Sequence, residues 1–244
     1  MTPLTNHPEK PFDLPNHSIS PTVAADGSSR SAPIFITGIG TEIGKTVVSS
    51  IIVEALGANY WKPIQAGIEE ASDNEKVRGL ISNSTSLFYD EVYKLKLPAS
   101  PHIAARQEHE RIDLEKINNE YTNIPSNCLV IEGAGGLMVP LNEQEFIIDL
   151  IELLRAKVIL VSRNYLGSIN HSLITAALCR QRKLEVVGWI FNDQYLQYEE
   201  EIASWSGYPK IASIPFEANI TPQFVSEQAQ QIKPKLLQCL YDKN

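Results

Sequence analysis

From residue 33 onward the chain alternates short apolar runs with longer stretches whose apolar positions recur every three to four residues. The runs at 34–37, 59–63, 128–132, 158–161, 186–191 and 210–214 have strand length and are nearly continuous in apolar character. That pattern predicts strands buried on both faces. Helical spacing predicts helices over 46–56, 75–82, 114–120, 145–154, 168–182 and 198–205, and a last one from about 224 to 241. Strand and helix in alternation predict an α/β domain with a mainly parallel central sheet flanked by helices. In such a sheet ligands bind at the carboxyl ends of the strands. Residues 1–32 break the pattern. They are rich in Pro, Ser, Thr, Asn and Asp and have no apolar period. This reads as a disordered leader ahead of a single domain over 33–244.

Composition narrows the function classes. Twenty-one Lys and Arg against 29 Asp and Glu give a net charge of −8, and no basic cluster stands out. A nucleic acid as main partner needs a basic face, so that class is excluded. Cys128, Cys179 and Cys239 are widely separated and lack metal-ligand spacing. They read as small apolar residues of a protein from a reducing, cytoplasmic setting. No apolar run approaches the ~20 residues needed to span a bilayer. The leader has no charged-then-apolar signal pattern, and Glu9, Asp13 and Asp26 argue against a transit peptide.

The chemistry gathers after the strands. The first run opens into Thr37-Gly-Ile-Gly-Thr-Glu-Ile-Gly-Lys-Thr46, followed at once by a helical pattern. Strand, glycine-bearing loop and helix form the context of a phosphate-binding loop. The loop amides and the positive end of the helix dipole would receive an anion. Lys45 supplies a mobile cation for the outer phosphates, and Thr46 a hydroxyl for Mg²⁺. Five residues separate Gly38 from Gly44, one more than in the common loop, which points to a variant of that class. Lys62 ends the second strand, before Pro63 and Gly67. A cation there would face a transferring phosphoryl group. Glu132 ends the third strand and begins Gly133-Ala-Gly-Gly136. An apolar strand ending in a carboxylate is a frequent Mg²⁺ arrangement in phosphate-loop enzymes. Asp73 stands in an acidic loop ahead of a short helix, where it also suits a helix cap. Gly167 and Ser168 open a helix whose N-terminus could hold a carboxylate, with Asn170 beside them. Asn192 and Asp193 follow the fifth strand. An Asn amide can pair with adenine, and Asn-Asp also favours a turn.

Taken in order, these segments resemble the dethiobiotin synthetase family of P-loop NTPase fold. The matching stretches are 37–46, Lys62-Pro-Ile-Gln-Ala-Gly67, Ser100-Pro-His-Ile-Ala104, Glu132-Gly-Ala-Gly-Gly-Leu-Met-Val-Pro140, Gly167-Ser-Ile-Asn-His171, Gly188-Trp-Ile-Phe-Asn-Asp193 and Ile214-Pro215. The longer phosphate loop is that family's own variant. The resemblance implies an ATP- and Mg²⁺-dependent ligase that converts 7,8-diaminopelargonate and CO₂ to dethiobiotin, ADP and phosphate. It implies Lys45 and Lys62 as charge-stabilising catalytic groups, with Thr41 in the matching loop. Thr46, Asp73 and Glu132 would ligate Mg²⁺. ATP would contact Glu42, Ile43, Gly44, Lys45, Thr46 and Val47, with Gly133, Ala134 and Gly135 close by. Asn192 with Asp193, and Pro215, Phe216 and Glu217, would frame adenine. Lys62 and Ala66 would meet the diamine. Members are homodimers, which assigns the substrate carboxylate to Gly167, Ser168 and Asn170 of the partner chain.

Two positions depart from the family. Gly40 stands where Asp is common, and Ala66 where a Ser or Thr hydroxyl contacts substrate. Losing one hydrogen bond there costs about 1 kcal/mol unless water replaces it. The stretch from Thr46 to Lys62 is also short, so a trimmed helix or connection is expected. Three alternatives stand beside the ligase. A cobyrinic acid amide synthase pairs its nucleotide domain with a glutaminase, for which no Cys/His arrangement is present. A nucleotide switch of the ParA or MinD kind carries a second Lys at the position of Gly40. A paralogue that binds nucleotide without turnover is the third, and Ala66 is what favours it.

Overall fold

The computed structural model describes residues 31–68, 71–125, 127–193 and 196–242. The leader expected over 1–32 lies almost wholly outside them. The order is β1 (Ile34–Gly38), α1 (Lys45–Leu56), β2 (Asn59–Trp61), β3 (Ile64–Ala66), α2 (Asp73–Leu80), β4 (Phe88–Tyr89), β5 (Tyr93–Leu95), α3 (Pro101–Gln107) and α4 (Leu114–Asn123). It continues with β6 (Leu129–Glu132), α5 (Ile147–Leu153), β7 (Lys157–Arg163), α6 (Ser168–Gln181), β8 (Val186–Asn192), α7 (Glu199–Ser206), β9 (Lys210–Ile214) and α8 (Pro222–Tyr241).

Seven strands form one parallel sheet in the order β4-β2-β6-β1-β7-β8-β9. Strands β3 and β5 pair separately, also in parallel. The central strand β1 is buried at all five positions, as its apolar run requires. Side chains alternate between the faces of the sheet. Ile34, Ile36, Val130, Ile159 and Val161 pack on one side with residues of α1 and α8. Phe35, Ile131, Val158 and Leu160 pack on the other with residues of α4, α5 and α7. The two layers thus bury both faces, and each fully buried aliphatic side chain contributes roughly 1.5–3 kcal/mol.

Every expected strand and helix is present. The short stretch after Thr46 resolves as a 12-residue helix closed by Gly57, whose φ of 59° makes the left-handed cap. Ala58 then leads straight into β2. The pattern did not mark β3, β4, β5 and α3. The helix α2 starts two residues before the expected position, because Ser72 and Glu75 form a capping box that extends it.

Candidate active site

The parallel register builds the site. Trp61 lies opposite Ile131, so the next rung sets Lys62 beside Glu132. Tyr60 and Val130, two residues earlier on their strands, pack on the α1 side of the sheet. The period of two therefore sends Lys62 and Glu132 toward that same side. There α1 supplies Lys45 and Thr46 from its first turn, and α2 supplies Asp73.

These side chains converge. Lys62 Nζ pairs with Asp73 Oδ2 and, at 3.1 Å, with Glu132 Oε1. Thr46 Oγ1 donates to the same Glu132 oxygen at 3.0 Å. Tyr60 donates its hydroxyl to the other, Oε2, at 3.0 Å. Glu132 is 1% exposed, and each of its two oxygens has a protein partner. Lys45 Nζ donates to the Gly40 carbonyl at 2.6 Å. Gln65, which sequence reasoning passed over, ties two segments together. Its Oε1 accepts from the Asp73 amide at 3.3 Å, and its Nε2 donates to the Gly67 carbonyl at 3.0 Å.

Burial and neighbours set the charges. Burial opposes the ammonium of Lys62, but Glu132 and then Asp73 outweigh it and raise its pKa. Burial also works against the Asp73 carboxylate, and Lys62 more than offsets it, leaving its pKa lowered. Lys45 has weaker support. Burial lowers it to about 8, with Glu132 pulling the other way. Burial, followed by the Glu132 charge, holds the Tyr60 phenol well above its ordinary range. Tyr60 therefore stays a hydrogen-bond donor.

The donor set suits Mg²⁺. Two carboxylates share one cationic nitrogen, the Thr46 hydroxyl contacts one of them, and all three groups offer hard oxygens. Among the described residues no three His, Cys, Asp or Glu side chains converge. Mg²⁺ commonly takes only one or two carboxylates and completes its shell with water and phosphates. The residues present fit that habit.

A cleft of about 980 Å³ opens over this cluster. Of the residues expected from sequence, Thr41, Glu42, Gly44, Lys45, Thr46, Lys62, Ala66, Asp73, Glu132, Ala134 and Gly135 line it. Its far wall is Pro98, Ala99, Ser100 and Pro101. Ser100 and Pro101 of that wall belong to the matching stretch 100–104, which carried no assigned role. Ile43 and Gly133 are buried beneath the cleft, the latter against Phe35. Val47 follows Thr46 in the first turn of α1.

The remaining expected residues stand to either side. Asn192 Nδ2 donates to the Ile43 carbonyl at 2.5 Å, which ties β8 to the phosphate loop. That contact explains Gly44. Its φ is 86°, and a Cβ there would lie 2.4 Å from Asn192 Nδ2. Asp193 pairs with Arg163 at 2.5 Å, and Arg163 also reaches the Glu42 carbonyl at 3.5 Å. Pro215, Phe216 and Glu217 are exposed after β9, whose Ile214 pairs with Asn192. Gly167 caps α6 in the left-handed region and Asn170 is exposed. Ser168 is buried, its hydroxyl shared with Tyr198 at 2.7 Å and the Tyr165 amide at 3.3 Å. None of these lines the cleft.

Comparison with known proteins gives the context. Residues 32–223 match a family model described as an AAA domain. A relative from Christiangramia forsetii, named ATP-dependent dethiobiotin synthetase BioD, is 45% identical over 203 residues, 83% of this chain and 96% of the relative. One of the same name from Cytophaga hutchinsonii is 44% identical over 81% of this chain and 95% of its own length. A third, from Brucella ovis, is 39% identical over 78% and 89%. Among solved structures, the MinC:MinD cell division complex of Aquifex aeolicus aligns with a TM-score of 0.54 at 16% identity, over 88% of this chain and 98% of that one. A ParA family ATPase from Chlorobium tepidum aligns with 0.54 at 13%, over 88% and 99%. At such identities the structural likeness speaks for the fold alone.

Proposed function

This chain belongs to the ATP-dependent dethiobiotin synthetase family, and from that premise we propose how its residues divide the work. The enzyme is an ATP-dependent ligase of biotin biosynthesis. One amine of 7,8-diaminopelargonate adds to CO₂ and forms a carbamate. A carbamate oxygen attacks the γ-phosphorus of ATP and expels ADP, leaving a mixed carbamic–phosphoric anhydride. The second amine attacks the carbamate carbon, closes the cyclic urea and expels phosphate.

The loop of Thr41 to Thr46 and the start of α1, including Val47, hold the ATP phosphates. Lys45 follows the outer phosphates as charge builds on them. Lys62 lies between that loop and the wall of Ala66 and Pro98–Pro101, where it faces both the carbamate and the transferring phosphoryl group. Thr46, Asp73 and Glu132 would hold Mg²⁺, which when bound neutralises phosphate charge. Asn192, Asp193 and the exposed segment 215–217 frame adenine beyond the phosphate loop. Gly133, Ala134 and Gly135 let backbone come close to the nucleotide. Ala66 offers the diamine no hydroxyl; Ser100, on the same wall of the cleft, supplies one instead.

The carboxylate tail of the diamine extends to Gly167, Ser168 and Asn170 of a second copy, which makes a homodimer the working unit. Leu166 and Ile174, exposed on and before α6, support this placement. The reaction belongs in the cytoplasm, where ATP is supplied. The observation that carries the reading is the Lys62 ammonium shared by Asp73 and Glu132 beside the phosphate loop.

The test is ADP release by the purified protein with MgATP and bicarbonate, with and without 7,8-diaminopelargonate. Release that requires the diamine, with dethiobiotin found by mass spectrometry, is expected. Nucleotide binding with no diamine-dependent release would transfer the reading to a paralogue without turnover.

A further inference from the structure

Glu132 has two oxygens, and the protein treats them differently. Oε1 faces Thr46 and Lys62 at 3.0 and 3.1 Å. Oε2 faces inward and accepts the Tyr60 hydroxyl at 3.0 Å. Tyr60 is fully buried among Ile36, Val130 and other aliphatic residues, with Phe88 tilted against its ring. A buried phenol needs a partner, and its ring is held too firmly to seek another. It does not itself line the cleft, and reaches it only through Glu132.

We propose that Tyr60 is a positioning residue that holds Glu132 Oε2, so that only Oε1 is presented to the divalent cation. The proposal rests on the reading of Glu132 as a metal ligand. Outer-shell hydrogen bonds of this kind orient a ligand and tune its affinity, and losing one typically costs 10- to 100-fold in binding. Single-oxygen ligation suits Mg²⁺, which demands a tight octahedral shell. Ca²⁺ accepts both oxygens of a carboxylate and more ligands altogether. Tyr60 would therefore set metal choice as well as affinity. Lys62 lies two residues further on, just past the end of β2, so one period of the extended chain gives Glu132 both its inward and its outward partner.

The experiment is metal binding to the ADP complex of Tyr60→Phe, followed by calorimetry with Mg²⁺, Mn²⁺ and Ca²⁺ in turn. We expect the Kd for Mg²⁺ and Mn²⁺ to rise about tenfold and that for Ca²⁺ to stay within twofold, with ADP affinity in EDTA unchanged. Equal losses for all three ions, or none, would overturn the proposal. Loss of all metal binding in Glu132→Gln tests the reading of Glu132 separately. If that variant binds metal normally, the underlying assignment fails before Tyr60 is in question. Infrared difference spectra of the unaltered protein on adding Mg²⁺ give a second measurement that needs no Tyr60 variant. A carboxylate band pair lost in Glu132→Gln and widely split marks one-oxygen ligation, and a narrow split contradicts it.

Discussion

At the scale of single residues, Lys45 carries a pH dependence. Burial lowers its pKa from the ordinary 10.5 to about 8. Bound phosphate favours the ammonium, so binding raises that value again. The sign follows. Below pH 8 the free protein already holds the proton, and nucleotide affinity is flat in pH. Above 8 binding must take up a proton, so affinity falls, by up to tenfold per pH unit until the bound-state pKa is reached. The nucleotide phosphates are fully ionised in that range and add no slope of their own. Calorimetry of ADP binding from pH 7 to 9.5, in buffers of different ionisation enthalpy, should show proton uptake appearing above pH 8. A flat profile in Lys45→Arg would assign it to this side chain.

At the scale of elements, α2 carries Asp73 in its first turn, and its N-terminus is held by a reciprocal pair. The Ser72 hydroxyl accepts from the Glu75 amide at 3.3 Å, and Glu75 Oε2 accepts from the Ser72 amide at 2.7 Å. Ser72→Ala should cost about 1 kcal/mol in urea unfolding. It should also raise the Mg²⁺ concentration needed for half-maximal activity, because Asp73 loses its fixed position, while ATP affinity in EDTA remains. The long elements were legible in the sequence, since 3.6- and 2-residue periods have room to repeat in them. β4 has two residues and takes its place through the Asn59 side chain and the Leu87 carbonyl, which no local period records. α3 has seven residues beginning at Pro101, and its buried positions Pro101, Ala104 and Ala105 give no clear stripe. The site was legible where chemistry sits at a strand end, as with Lys62 and Glu132. Tyr60 and Gln65 were not, because each acts on a partner 72 and 8 residues away that only the sheet register and the α2 cap bring close.

At the scale of the whole molecule, the cleft holds the phosphate loop, the acidic pair and Lys62 in one chain, but the groups at the start of α6 stand outside it. A second copy would bring them to the substrate. Sedimentation should therefore find a dimer at working concentrations. Ile174 is 59% exposed on α6. Ile174→Asp should shift the protein toward monomer and raise KM for the diamine about tenfold, with KM for ATP within twofold, since an unpaired charge in an apolar contact opposes association. A wild-type monomer with full activity would refute the shared site.

The sheet order also has a consequence in time. Among the described residues the first strand to leave the ribosome, β1, is the middle of the sheet, and its two neighbours are β6 and β7. Residues 39–128 must be synthesised before Ile34–Gly38 meets even one of them. At roughly 5–20 residues per second that is a wait of several seconds. Throughout it, the aliphatic face of α1 and a five-residue apolar strand lack the surfaces that later cover them. Such a nascent chain is a natural client for a holding chaperone. A circular permutant that begins at β6 would place β1's partner ahead of it and shorten that exposure.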